Sequence, residues 1–313
     1  MTARRRIVLL GGTGFIGSAL TRKLAADRGT WDLLMLIHRQ ANLRVLEQTD
    51  TVTGSLSSFD LGRLDRFAPQ TILHLARLSG KGRWGRLWAA TRGARANARI
   101  IRHLAARPAK PHVIYVSGTL VYGDCGAEPV DETRPIQPIA FAREYLRAER
   151  PWMSALENGA IPTTILRPAW IMGQGSWFEE IYVKGIRIHR TIPLFGEGRN
   201  LMSLLDVEDC AGLIQHAVRE AKPGRYYNLF APGACVTQQE FVERLAKLTG
   251  AEVRRVAESS IRRQYGQAML EAVTFSNRSA TQYPEFMGGY SFKFPLVDDM
   301  IRHNLPAELG GSR

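Results

Sequence analysis

Unbroken apolar runs alternate with amphipathic stretches through the first half of the chain. Ile7-Val8-Leu9-Leu10 is followed by similar runs at 33–37 (Leu-Leu-Met-Leu-Ile), 71–75 (Thr-Ile-Leu-His-Leu), 112–116 (His-Val-Ile-Tyr-Val) and 163–166 (Thr-Thr-Ile-Leu). Runs this short, with no polar alternation, read as strands buried on both faces. Between them, apolar positions recur at helical spacing over roughly 15–27, 85–106 and 141–158. Strand and helix in regular alternation predict an α/β fold, a Rossmann-type doubly wound parallel sheet. Trp31-Asp32 and Pro108-Ala109-Lys110-Pro111 mark connections. Pro151, inside the third helical stretch, opens the prospect of a helix break there.

Beyond residue 170 the pattern loosens, and Gly173, Gly175, Gly185, Gly196 and Gly198 punctuate 171–200. Leu204-Leu205-Asp206-Val207 then leads into a helix over 208–220, and Tyr226-Tyr227-Asn228-Leu229 reads as a late strand. Thr237 followed three residues on by Glu240 is a capping box opening a helix over 238–249, with Gly250 as its stop. The expected organisation is a dinucleotide-binding domain over 1–170, to which 201–232 returns. A smaller substrate lobe, from 171–200 and 233–313, would lie over the carboxyl edge of the sheet with substrate between the lobes.

Composition narrows the class. The 313 residues suffice for a full α/β core, and no stretch approaches the roughly 20 uncharged apolar residues of a membrane span. Met-Thr-Ala-Arg-Arg-Arg precedes a short apolar run without a small-residue cleavage site, which does not read as a secretory signal. Cys125, Cys210 and Cys235 are widely spaced, fitting a reducing cytoplasm rather than a disulfide framework or zinc site. The remaining histidines, His189, His216 and His303 among them, show no metal-ligand spacing. The net charge of +13 reads first as solvated surface; a nucleic-acid partner would need a continuous basic patch and is not favoured.

The chemistry begins directly after the first apolar run, at Gly11-Gly12-Thr13-Gly14-Phe15-Ile16-Gly17. Glycines at 11, 14 and 17 leave backbone bare at a helix N-terminus, where free N–H groups and the helix dipole favour a pyrophosphate. A glycine turn can also serve strand–helix packing alone; its place after the first strand favours the dinucleotide.

Several segments in order resemble the extended short-chain dehydrogenase/reductase family, the superfamily of nucleotide-sugar epimerases and dehydratases. They are Gly11–Gly17, Ile72-Leu73-His74-Leu75-Ala76, Tyr115-Val116-Ser117 leading to Val121-Tyr122-Gly123, Leu166-Arg167-Pro168, Pro193–Gly198, Val207-Glu208-Asp209 and Tyr227-Asn228-Leu229. The resemblance implies a nicotinamide dinucleotide contacted by Gly11, Thr13, Gly14, Phe15, Ile16 and Gly17, then by Leu75, Ala76, Arg77, Val116 and Pro168. It also implies a homodimer built on two long helices per subunit, here 85–106 and 141–158.

The family's chemistry usually needs a Tyr-x-x-x-Lys pair, in which the ammonium lowers the phenol pKa so that the tyrosine can exchange a proton while nicotinamide exchanges hydride. Counting back from Arg167-Pro168, and checking against Ala148-Glu149, puts Phe141 and Tyr145 at those positions. The family's catalytic Ser/Thr position falls at Gly118, with Ser117 and Thr119 as the nearest hydroxyls, and the helix asparagine of its proton relay appears as Ala90. Two explanations stay open: loss of the standard apparatus, or a register in which Tyr145 is the acid. Glu149, one turn beyond Tyr145, would raise a phenol pKa; Arg143 and Arg147 could offset it but read as solvated surface. Tyr145, Ser117, Thr119 and Tyr122 are the candidate proton-handling residues.

At the end of the second strand, Ile37-His38-Arg39-Gln40 stands where an acidic residue would select NAD. Arg39, with His38 or Arg44 assisting, suits a 2′-phosphate, so NADP is expected over NAD. Ser55, beside Leu56, takes the place where the resemblance expects an aspartate at the adenine ring. Met202 stands where sugar-nucleotide members carry a basic residue, and Asp206 where a histidine is common, which disfavours a nucleotide sugar. Trp170, Trp177, Phe178, Tyr182 and Phe195 either pack as core or line an apolar cleft. His74 reads as a structural histidine, and Asp206 and Asp209 as loop and helix-cap groups.

The leading expectation is an NADP-binding, atypical short-chain dehydrogenase/reductase-like enzyme acting on a small, partly aromatic or apolar metabolite. It would work by hydride transfer or a related epimerase/dehydratase-type step. The competing one is a catalytically silent nucleotide-binding protein, a cofactor sensor or a module binding nucleic acid or protein.

Overall fold

A computed structural model of the chain describes residues 4–27, 29–38 and 49–310. Strand and helix alternate through β1 (Arg5–Leu10), α1 (Phe15–Ala26), β2 (Trp31–Ile37), β3 (Asp50–Thr53), α2 (Gly62–Phe67), β4 (Thr71–His74), α3 (Gly82–Ala105) and β5 (His112–Val116). A short β6 (Pro129–Val130) precedes α4 (Ala140–Glu157), β7 (Thr163–Pro168), β8 (Trp170–Met172), α5 (Lys184–His189), β9 (Thr191–Phe195), β10 (Leu201–Asp206), α6 (Val207–Glu220) and β11 (Arg225–Leu229). After these come β12 (Cys235–Thr237), α7 (Gln238–Thr249), β13 (Glu252–Val256) and shorter C-terminal helices.

Seven strands form one sheet in the order β11-β7-β5-β4-β1-β2-β3. From β3 through to β7 the pairings, such as Val8 opposite Leu34 on one side and Ile72 on the other, are parallel. The buried apolar runs therefore give the doubly wound sheet that their pattern predicts. Strand order reverses between β1 and β4, the place where such sheets open a crevice at their carboxyl ends. Val8, Leu34, Ile72, Val113 and Ile165 from the strands pack with Ala96, Ile100 and Leu104 of α3 and Trp152 of α4 in one core cluster. Where α3 meets α4, a Cβ on Gly93 would lie 3.2 Å from the Ala148 Cβ. α4 continues through Pro151 without a break, since its buried positions Tyr145, Ala148, Glu149, Trp152 and Ala155 hold both sides of the proline to the core. That packing outweighs the one backbone hydrogen bond that proline removes.

The chain divides into two compact units. The first comprises Met1–Ser117, Glu144–Arg167 and Ala211–Tyr227; the second comprises Gly118–Arg143, Pro168–Cys210 and Asn228–Arg313. Gly118–Arg143, assigned by the sequence pattern to the sheet domain, makes its hydrogen bonds in the second unit. Cys125 N–H donates to the Ser276 carbonyl at 3.1 Å, and Ala280 N–H to the Val130 carbonyl at 2.9 Å. In that unit Thr237 and Glu240 form the capping box, with Thr237 N–H donating to Glu240 Oε2 at 2.8 Å, and α7 stops at Gly250 with φ +64°. Among the described residues no helix is long and apolar enough to cross a membrane.

Candidate functional site

The turn after β1 is shaped by its own glycines. Gly11 has φ +93°, and a Cβ there would sit 2.6 Å from the Ala76 backbone nitrogen. One on Gly17 would sit 2.0 Å from the Gly11 carbonyl oxygen. Packing of β1, β4 and α1 thus requires two of the three motif glycines. Gly14 differs: its φ of −79° suits any residue, and the nearest atom to a Cβ there is 3.4 Å away. It is exposed, at the N-cap of α1, and no acidic side chain stands in the first turn. The Thr21 hydroxyl donates to the Gly12 carbonyl at 3.0 Å and holds the turn in place. Thr13, Phe15 and Ile16 flank Gly14, half-buried, with the first-turn N–H groups that a helix leaves without internal partners.

The other expected cofactor positions are distributed as follows. His38 is exposed at the end of β2; Arg39 and Arg44 lie outside the described residues. The Ser55 hydroxyl is shared with Ser57 at 3.0 Å and Ser58 at 2.7 Å, and the Leu56 side chain belongs to the core. Leu75 and Ala76 follow β4 against Gly11, and exposed Arg77 comes next. Val116 ends β5 and Pro168 ends β7, both buried.

In the sheet-bearing unit, Ser117 follows β5 and donates its hydroxyl to Glu149 Oε2 on α4. Glu149 Oε1 faces Arg167 Nη2 at 3.2 Å, both side chains being out of water. One turn before Glu149, Tyr145 is 7% exposed, and its hydroxyl has no hydrogen-bond partner among the described residues. The Arg77 guanidinium carbon stands 4.6 Å from the centroid of the Tyr145 ring. Burial pushes the Tyr145 phenol far above its ordinary value; Arg77 opposes the rise and Glu149 adds to it. Tyr145 is therefore a neutral phenol across ordinary pH, able to donate a hydrogen bond but not to wait as phenolate. Arg143 bonds the Pro138 carbonyl and Arg147 the Thr91 hydroxyl, so the cation at Tyr145 comes from the end of β4.

His74, fully buried, shares a hydrogen bond with Asn97 Oδ1 at 2.9 Å, and Asn97 Nδ2 donates to the Ala148 carbonyl at 2.7 Å. Burial depresses the His74 pKa to about 4, so this histidine is structural and neutral. Asn97 escapes sequence reasoning because nothing marks it apart from the other polar residues of α3.

In the second unit, Thr119 and Tyr122 lie on a buried 3-10 turn over Thr119–Tyr122, where the Tyr122 hydroxyl donates to Asn228 Oδ1 at 2.9 Å. Phe141, at the start of α4, is 50% exposed. Phe178 and Tyr182 are core, packed edge to face with Phe241; Phe195 leaves the group and packs near Ile261, Leu270 and Val273. Trp170 and Trp177 remain partly exposed, edge to face at 4.8 Å, each with an indole N–H lacking a partner among the described residues. Asp206 accepts from Glu208 N–H at 2.7 Å, and Asp209 from Lys293 and Phe294 N–H at 2.9 Å each, the expected loop-fixing roles. No cluster of metal-ligating side chains occurs among the described residues.

The model of the NAD dependent epimerase/dehydratase family matches residues 7–229. Protein YeeZ of Escherichia coli (strain K12) is 30% identical over 142 residues, 45% of this chain and 47% of that protein, so the match spans about half of that relative's length. Epimerase family protein SDR39U1 of Bos taurus is 24% identical over 308 residues, covering 95% of this chain and 98% of the relative. The crystal structure of human SDR39U1 (isoform2) with NADPH has a similar fold, with a TM-score of 0.74 at 18% identity, covering 96% of this chain and 98% of that one.

Proposed function

This chain belongs to the NAD dependent epimerase/dehydratase family, and we propose that it is an NADP-binding enzyme of short-chain dehydrogenase/reductase type. Its substrate would be a small, partly aromatic or apolar metabolite, changed by hydride transfer or a related epimerase/dehydratase-type step. The observation that carries this reading is Gly14. Folding explains Gly11 and Gly17, whereas the missing side chain at Gly14 serves only something that approaches the α1 N-terminus from outside. A nicotinamide dinucleotide fits that place by charge and by room, and when bound it supplies the hydride acceptor or donor. NADP over NAD rests on Arg39 and His38, and it agrees with the NADPH of the human SDR39U1 structure.

The family's Tyr-x-x-x-Lys positions carry Phe141 and Tyr145, so this chain would work without the usual pair. Of its candidate hydroxyls, Ser117 and Tyr122 already donate to Glu149 and Asn228. Tyr145, with Thr119 the other candidate whose hydroxyl is not so engaged, is held by burial as a neutral phenol, which suits it to donate a hydrogen bond rather than to act as a base. Trp170 and Trp177, partly exposed and edge to face, offer an aromatic surface, which suits a flat substrate better than a sugar.

Those engaged hydroxyls also favour a second reading, a silent cofactor sensor, and one experiment separates the two. NADPH and NADH are titrated by calorimetry, and aromatic and apolar carbonyls are then screened for NADPH oxidation. Tight NADPH binding with turnover abolished by Tyr145→Phe supports the enzyme; binding with no turnover supports the sensor; no binding defeats both. Arg39→Ala is expected to weaken NADPH far more than NADH, and an equal loss rules out the 2′-phosphate role.

A further inference from the structure

Charge is distributed unevenly along this chain. From Arg66 to Gly123 it contains no aspartate or glutamate, and α3 lies inside that stretch. Trp84, Trp88, Arg92, Arg95 and Arg102 follow one another on α3 at intervals of four, four, three and seven residues, which puts them on one face of the helix. All five are exposed, Trp84 by 78% and Trp88 by 67%. The Arg92 guanidinium carbon stands 5.0 Å from the centroid of the Trp88 ring. Beside them, exposed Arg147 of α4 donates to the Thr91 hydroxyl at 3.1 Å and adds a further cation. Among the described residues, carboxylates pair with α3 at Arg86, from Glu144, and at His103, from Asp65, and not with Arg92, Arg95 or Arg102.

The sign of the charge and the two indoles together select an occupant. Ala96, Ile100 and Leu104, on the other side of α3, belong to the core, so the helix has no apolar face left to lay in a bilayer. A second copy across a two-fold axis would set the arginines of this face against themselves. An acidic peptide would answer the charge and leave two broad indoles in water. Single-stranded nucleic acid answers both, because its phosphates pair with guanidinium groups and its unpaired bases stack on aromatic rings. From Trp84 to Arg102 the face runs about 27 Å along the helix axis, room for several successive nucleotides. We propose that this face of α3, with Arg147 beside it, is a docking surface for single-stranded nucleic acid, with Trp84 and Trp88 stacking bases and the arginines holding phosphates. The surface is separate from the glycine turn, and the proposal does not rest on the dinucleotide reading.

The test is a fluorescence-anisotropy titration of a labelled oligouridylate of about fifteen nucleotides with the full chain, repeated at several salt concentrations. Trp84→Ala, Trp88→Ala and Arg95→Ala are titrated alongside, with thermal melts confirming that each is folded. Unlabelled oligouridylate, a duplex of the same length, polyglutamate and phosphatidylserine vesicles serve as competitors. The parent is expected to bind with the logarithm of its affinity falling against the logarithm of salt at a slope of about −3, as four phosphate contacts require. Trp84→Ala and Trp88→Ala should each weaken binding about tenfold and leave the slope unchanged, whereas Arg95→Ala should flatten it by about 0.7. No binding by the parent overturns the proposal, and so do indole variants that bind like the parent. Displacement by duplex or polyglutamate as readily as by oligouridylate reduces the face to a general polyanion site and overturns it as well. Displacement by vesicles would give the face to a membrane, and a sedimenting dimer that Trp88→Glu splits would give it to a second copy; either result also overturns the proposal.

Discussion

Glu149 and Arg167 meet at 3.2 Å inside the sheet-bearing unit, 0% and 2% exposed, and the second carboxylate oxygen takes the Ser117 hydroxyl. A charge pair so placed contributes little net stability while complete, but losing one partner strands the other in a medium that cannot solvate it. Glu149→Gln is therefore expected to destabilise the chain by about 3–5 kcal/mol. Ser117→Ala, which removes one donor to an ion, is expected to cost about 2 kcal/mol. Urea unfolding of both variants checks this, and a Glu149→Gln midpoint equal to that of the parent would show the pair to be dispensable.

Gly14 and Gly17 should part company on substitution. Gly17→Ala drives a methyl group into the Gly11 carbonyl and is expected to prevent folding or lower the melting temperature by many degrees. Gly14→Ala meets nothing closer than 3.4 Å and should melt within a few degrees of the parent, yet lose NADPH binding by tenfold or more. Undiminished binding in a folded Gly14→Ala would leave that glycine without its proposed purpose.

Acid sensitivity follows from two buried imidazoles. Burial holds His74 and His112 each at about 4, against 6.5 for an unperturbed histidine. Between those values the unfolded chain binds protons that the folded chain refuses. Stability contributed by their neutrality is thus full above pH 6.5, falls as pH drops toward 4, and changes no further below. The fully buried His74 alone is expected to account for up to about 3 kcal/mol of that loss. Denaturant midpoints measured from pH 7 to pH 4 should fall more steeply for the parent than for His74→Gln; parallel curves would count against it.

Thr237→Ala removes one half of the α7 capping box and should cost about 1 kcal/mol. Thr237→Ser, which keeps the oxygen, should cost much less. Thermal melts of the pair suffice, and equal losses would show that the methyl rather than the hydroxyl matters.

The scaffold was legible where burial is continuous: β1, β2, β4, β5 and β7 announce themselves as apolar runs. β3 does not, because Val52 is the single buried residue of Asp50–Thr53, too short a pattern to register. Pro151 suggested a break that the packed face of α4 prevents, an instance of tertiary contact overriding local propensity. The site was half legible. A tight turn is written in closely spaced glycines, whereas Glu149–Arg167 and Arg77–Tyr145 join distant segments whose residue types carry no mark of meeting. The cation at Tyr145 arrives from another strand end rather than from Arg143 or Arg147 of its own helix.

The first loop has a kinetic corollary. With Gly11 and Gly17 hemmed in by main chain, it has a single shape to offer, set before any guest arrives. Docking there demands no local refolding, so the ordering cost falls on the incoming molecule, and arrival should proceed near the pace of diffusive encounter.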